Sequence, residues 1–170
     1  IDGVLEAKEN IDQPDNVRAM VFWGHAPNSQ TRLPDMQKAM AKLDLLVVVD
    51  PFPTMSAVMH GRKDGVYLLP ATTQFETHGS VTASNRSLQW REKVMDPLFE
   101  SLPDHVIMQM FAEKFGFAGR FFRNIKVEET KIGKLDVKEP NIEDILREIN
   151  RGMWTIGYTG QSPERLKMHM

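Results

Sequence analysis

Five consecutive apolar residues, Leu45 to Val49, run without polar interruption into Asp50. A short uninterrupted run rich in β-branched residues cannot be a half-exposed strand, which would alternate, and it is too short for an amphipathic helix. It predicts a strand buried on both faces, and such strands belong to parallel sheets covered by helices. The preceding segment agrees. Ala19 to Trp23 is a second apolar run, closed by Gly24, and in Pro34 to Leu43 the residues Met36, Ala39, Met40 and Leu43 recur at helical spacing. Pro34 suits the first turn, where its missing N–H costs nothing. Strand, loop, helix and strand therefore follow one another, and Val66 to Leu69, closed by Pro70, supplies a third strand. Parallel strands need crossover connections, so the expected class is α/β, a Rossmann-like parallel sheet with flanking helices.

In such sheets ligands sit beyond the carboxyl ends of the strands. Three loops leave those ends here: Gly24 to Leu33, Asp50 to Thr54, and Ala71 onward. They should converge on one edge. Gly24 permits close backbone approach, and His25, Asn28, Ser29, Gln30 and Thr31 bring hydrogen-bonding groups. The first loop has neither GxGxxG nor GxxxxGK[ST], which removes the usual dinucleotide and Walker-type fingerprints. Asp50 has two roles open to it, accepting from a ribose or a guanine edge, or capping the following turn. The long segment Ala71 to Gln89 is mostly small and hydroxylic, and predicts a structured loop that binds something polar.

Past Arg91 the pattern returns to helices. Val106, Ile107, Met110, Phe111 and Phe115 form a helical stripe, with Asp104 as N-cap and Gly116 as stop. Asn141 should cap a helix reaching Gly152, and Ser162-Pro163 should open another. By composition, residues 1–17 form an incoming connection, 18–125 the α/β domain, 126–140 a charged excursion and 141–170 a helical C-terminal segment.

With 170 residues, a formal charge of −2 and dispersed Lys and Arg, nothing points to nucleic acid. No apolar run is long enough for direct membrane insertion. The absence of cysteine excludes thiolate metal sites and iron–sulfur ligation within these residues. Five histidines show neither HExxH nor HxH spacing, GxSxG is missing, and Glu76 with His78 most simply hydrogen-bonds local backbone. Eleven methionines, several on helical stripes, are core filler. The residues themselves describe a binding domain with a polar ligand at the strand ends, and no catalytic residue or metal ligand of its own. An opening at Ile1 and a closing helix that stops at Met170 suggest a fragment of a larger multidomain subunit.

Three segments, WGHAPNSQT (Trp23 to Thr31), LDLLVVVDPFPT (Leu43 to Thr54) and GVYLLPATTQFETHGSVTASNRSLQW (Gly65 to Trp90), resemble the large subunit of molybdenum- or tungsten-dependent formate dehydrogenases, of the dimethyl sulfoxide reductase family. The similarity continues through SLPDHVIMQMFAEKFGF to GMWTIGYTGQSPERL. It implies that the strand-end loops hold a molybdopterin guanine dinucleotide. Carried over by position, Gly24, His25, Ala26 and Gln30 would lie on its nucleotide side, Val49 and Asp50 would meet guanine or ribose, Ala71 would contact it by backbone, and Asp104 would meet guanine. Ala26 departs from the acidic residue common in related enzymes. The metal-ligating Cys or selenocysteine, its neighbouring His, the catalytic Arg and the cluster-binding cysteines have no counterpart here.

The resemblance further implies that the intact enzyme oxidises formate to carbon dioxide, with electrons leaving through an iron–sulfur cluster elsewhere in the subunit. Their recipients would be an iron–sulfur electron-transfer subunit and a membrane cytochrome subunit. It points to the respiratory, exported branch and hence the periplasm, with soluble cytoplasmic NAD-linked relatives as the alternative. Family members acting on nitrate or a thiosulfate-type compound, and a simple nucleotide-binding or subunit-contact domain, are the competing assignments.

Overall fold

The computed structural model describes residues 17–25, 31–152 and 160–170. The chain divides into two compact units, 1–71 and 72–170, a boundary inside the 18–125 stretch assigned above to one domain.

The first unit carries β1 (Ala19–Trp23), α1 (Leu33–Lys42), β2 (Leu45–Asp50), the single turn α2 (Met55–Val58) and β3 (Tyr67–Pro70). The strands form a parallel sheet in the order β1-β2-β3, with Val21 opposite Val47 and Val47 opposite Tyr67. The central strand is buried on both faces, as its unbroken apolar run requires. Leu46 and Val48 join a cluster with Phe22, Met36, Ala39, Met40, Leu43, Ala57 and Met59, while Val47 and Val49 are buried on the opposite side. Pro34 sits in the first turn of α1, where an N–H would lack a partner anyway, and Met36, Ala39 and Met40 face the sheet. At the amino end, the Arg62 guanidinium ties three backbone carbonyls together, those of Leu43, Asp44 and Gly65. The third strand differs from expectation. Val66 precedes it, and Tyr67 and Leu68 are exposed, because β3 is an edge strand with one neighbour.

The second unit begins with an antiparallel hairpin, β4 (Gly79–Thr82) and β5 (Leu88–Arg91). It occupies the stretch expected to be one long loop. Small hydroxylic residues conceal the strands, and the reversal is built by Arg86 in the left-handed region (φ 68°) and by Asn85, whose side-chain carbonyl accepts from the Ser87 N–H and hydroxyl. Helix α3 (Asp104–Lys114) follows, then the short α4 (Ala118–Phe121). Pro103, not Asp104, occupies the N-cap of α3, and Asp104 is its first helical residue. The buried stripe of α3 is Val106, Ile107, Gln109 and Ala112, so Met110 and Phe115 turn outward. Gly116 ends the helix as expected: at φ 79° it lets its own N–H reach the Glu113 carbonyl and the Phe117 N–H reach that of Ala112.

Residues 127–140 fold as a second hairpin, β6 (Val127–Ile132) and β7 (Leu135–Pro140), turned at Gly133 (φ 58°). Val137 of β7 is buried, and α3 packs on this strand. Helices α5 (Ile142–Gly152) and α6 (Pro163–Lys167) close the unit. Asn141 caps the first, accepting from the Asp144 N–H at 2.9 Å, and Ser162 caps the second, accepting from Arg165. Arg147 links them by pairing with Glu143, Asp144 and Glu164, and Lys167 lies over the Trp90 ring at 4.9 Å. No helix among the described residues is long and apolar enough to cross a membrane.

Candidate functional site

The parallel register aligns the carboxyl ends of the three strands. Trp23 lies opposite Val49, and Asp50 opposite Pro70, so Gly24, Asp50 and Ala71 leave the sheet side by side. Their backbones are joined: the Gly24 N–H donates to the Val49 carbonyl at 2.9 Å, and the Ala71 N–H to the Asp50 carbonyl at 3.3 Å. The three loop starts therefore share one rim, as the strand–loop–helix order predicted.

Gly24 turns away from the sheet with φ 57°, a conformation that costs any residue bearing a Cβ. A Cβ at this position would meet nothing within 4 Å, so the demand is conformational rather than steric. Gly24→Val should cost about 1–3 kcal/mol, read as a lower denaturation midpoint, although no neighbour is touched. His25 is exposed but anchored: its carbonyl accepts from the fully buried Ser56 hydroxyl at 2.7 Å, and its ring stacks on Phe22 at 6.3 Å. Ser56 thus ties the first strand-end loop to α2. Sequence inspection passed over it because a serine in a one-turn helix has no periodicity to betray it.

Asp50 does cap the following turn, accepting from the Phe52 N–H at 3.2 Å. One such bond leaves a carboxylate with spare acceptor capacity, so both roles open to it on sequence are compatible. Four residues on, the Thr54 hydroxyl oxygen is shielded from solvent and has no hydrogen-bond partner among the described residues. An orphaned hydroxyl is costly unless something polar completes it. The rim thus combines an acceptor-only carboxylate and an exposed glycine backbone, a donor and acceptor set that fits the ribose or base of a nucleotide. Val49 is fully buried and Ala71 nearly so, leaving backbone as their means of contact. Ala26 and Gln30 lie outside the described residues. Asp104 belongs to the second unit, exposed at the start of α3.

The conspicuous carboxylate of the central segment, Glu76, has a different job. It is buried, and its oxygens accept from the Thr73 N–H, the Thr73 hydroxyl and the Leu98 N–H, each at 2.7 Å. Burial alone would raise its pKa, but these bonds outweigh burial and hold it below the usual carboxylate value. His78 tilts against Trp90 with ring centres 6.3 Å apart. Glu76 thus takes the backbone-bonding role expected of it, whereas the contact the His78 ring makes is with Trp90. A cleft of about 440 Å³ in this unit is lined by His78, Lys93, Lys131 and Glu139, yet its charges are internally paired. Lys93 meets Asp96, Lys131 meets Asp136, and Glu139 meets His105. Among the described residues, no group of three or more His, Cys, Asp or Glu could hold a metal ion.

No protein-family model matches the chain. Individual relatives do. Over 96% of its length the chain is 31% identical to the F420-dependent formate dehydrogenase subunit alpha of Methanocaldococcus jannaschii, of which it covers 21%. The chain is similar to part of that alpha subunit. A Staphylococcus haemolyticus protein named "putative formate dehydrogenase" is 36% identical over 48% of the chain and 8% of its own length. A Staphylococcus aureus protein of the same description is 35% identical over 48% of the chain and 8% of its own length. The chain thus spans about a fifth of the archaeal relative, over a segment that includes the whole rim from Gly24 to Ala71.

Proposed function

We propose that this chain is the part of a formate dehydrogenase alpha subunit that holds the guanosine end of a molybdopterin guanine dinucleotide. The observation that carries this reading is the common rim, where Gly24, Asp50 and Ala71 start adjacent loops. Gly24 lets backbone approach the nucleotide, His25 is held in place by Ser56, and Asp50 matches the paired donors of a guanine edge. The cofactor, carrying molybdenum or tungsten, would supply the redox chemistry, and these residues bind and orient it. In the intact enzyme, formate would be oxidised to carbon dioxide, and electrons would pass through an iron–sulfur cluster outside this segment to partner subunits. We place the enzyme in the exported, respiratory branch.

The test uses the full-length enzyme. Asp50→Asn keeps an acceptor for the Phe52 N–H but replaces the carboxylate that guanine would need. It should lower guanine nucleotide and metal per protein while leaving the denaturation midpoint near wild type. Wild-type cofactor content in Asp50→Asn would overturn the assignment.

A further inference from the structure

The first strand-end loop leaves the sheet through a residue that constrains it little. Gly24 donates its N–H to the Val49 carbonyl at 2.9 Å, but at φ 57° it is exposed, with nothing within 4 Å of where a Cβ would lie. A glycine so placed is a point about which the chain can swing. One residue later the swing is stopped. The Ser56 hydroxyl donates to the His25 carbonyl at 2.7 Å, and the His25 ring lies against Phe22.

The place of Ser56 in the fold suits it to this task. It is fully buried, on the single turn α2 that follows the second strand-end loop, Asp50 to Thr54. Ala57 and Met59 seat that turn in the core with Phe22, and the Ala57 N–H donates to the Thr54 carbonyl at 2.9 Å. The second loop is folded back on itself by the bond from the Phe52 N–H to Asp50. The donor is therefore held rigidly, while its acceptor, thirty-one positions away, belongs to the loop that would otherwise move.

We infer that Ser56 is a positioning residue for the guanosine end of the cofactor: its hydrogen bond holds the first and second strand-end loops at a fixed separation, so that the nucleotide meets a preformed mouth. The inference rests on the cofactor reading proposed above and adds a buried residue that touches no nucleotide itself. Preorganised loops bind without the cost of being ordered, and loosening them shows chiefly as faster departure of the ligand. Because His25 is exposed, its carbonyl can turn to water once the hydroxyl is gone. Removing the hydroxyl thus releases a constraint and strands no acceptor in the core.

Ser56→Ala in the full-length enzyme tests this, with Ala39→Gly beside it. The second variant weakens α1 of the same unit through helix propensity and leaves the hydroxyl in place. Two rates are measured at temperatures equally far below each denaturation midpoint: hydrogen exchange in a peptide carrying Gly24 and His25, and loss of guanine nucleotide from the protein. Ser56→Ala should speed both several-fold over wild type, and Ala39→Gly neither. Equal acceleration in the two variants would make Ser56 an ordinary part of the core. That result, or nucleotide loss at the wild-type rate in Ser56→Ala, would overturn the inference. Asp50→Asn separates this failure from that of the cofactor reading. If Asp50→Asn loses cofactor while Ser56→Ala keeps it, the positioning role falls and the cofactor reading stands; if neither loses it, both fall.

Discussion

Glu76→Ala is expected to destabilise the chain by about 2–4 kcal/mol, because it removes one buried acceptor that satisfies three donors. Two of those donors belong to Thr73 and the third to Leu98, so this single carboxylate joins segments more than twenty positions apart. Its effect should also depend on pH in a definite direction. The three hydrogen bonds hold the folded-state pKa below the ordinary carboxylate value. Its contribution is therefore fully present above the unfolded value and lost as pH falls through the lower, folded one. Denaturation midpoints of wild type should decline as pH drops below about 4.5, and Glu76→Gln should flatten that part of the profile. A midpoint for Glu76→Ala equal to wild type at neutral pH would show that the loop is held by something else.

Met40→Ala should cost about 2–5 kcal/mol, since the side chain is fully buried among Phe22, Leu46, Val48 and their neighbours and its loss leaves a cavity. Met110→Ala, on a residue 44% exposed, should stay within about 0.5 kcal/mol. The pair separates the methionines that fill core from those that do not, and urea denaturation with an unchanged slope measures both. Because α1 and the sheet share the core around Met40, the variant should also loosen the rim and reduce cofactor content in the full-length enzyme. That reduction should follow stability, unlike the loss expected from Asp50→Asn.

The features legible in the sequence were those governed by near neighbours. Pro34 in a first turn, Asn141 and Ser162 as caps and Gly116 as a stop each act over three or four residues, and the structure has all of them. The two hairpins were hidden for a related reason. Strand character in 79–91 and 127–140 comes from cross-strand pairing, and the hydroxylic and charged residues there carry little intrinsic preference. The buried face of α3 runs from Val106 and Ile107 through Gln109 and Ala112, about one position away from the apolar spacing that continues to Met110 and Phe115.

By itself, the sequence determined the parallel strand–helix–strand order, and with it the gathering of Gly24, Asp50 and Ala71 at one edge. An unbroken apolar run between crossover segments leaves few other ways to bury both faces. Only the tertiary structure decided that β3 is an exposed edge, that Ser56 tethers His25, and that Glu76 clamps its own loop. Burial and hydrogen-bond partnership belong to groups far apart in the chain, and no local pattern of residues encodes which of them will meet.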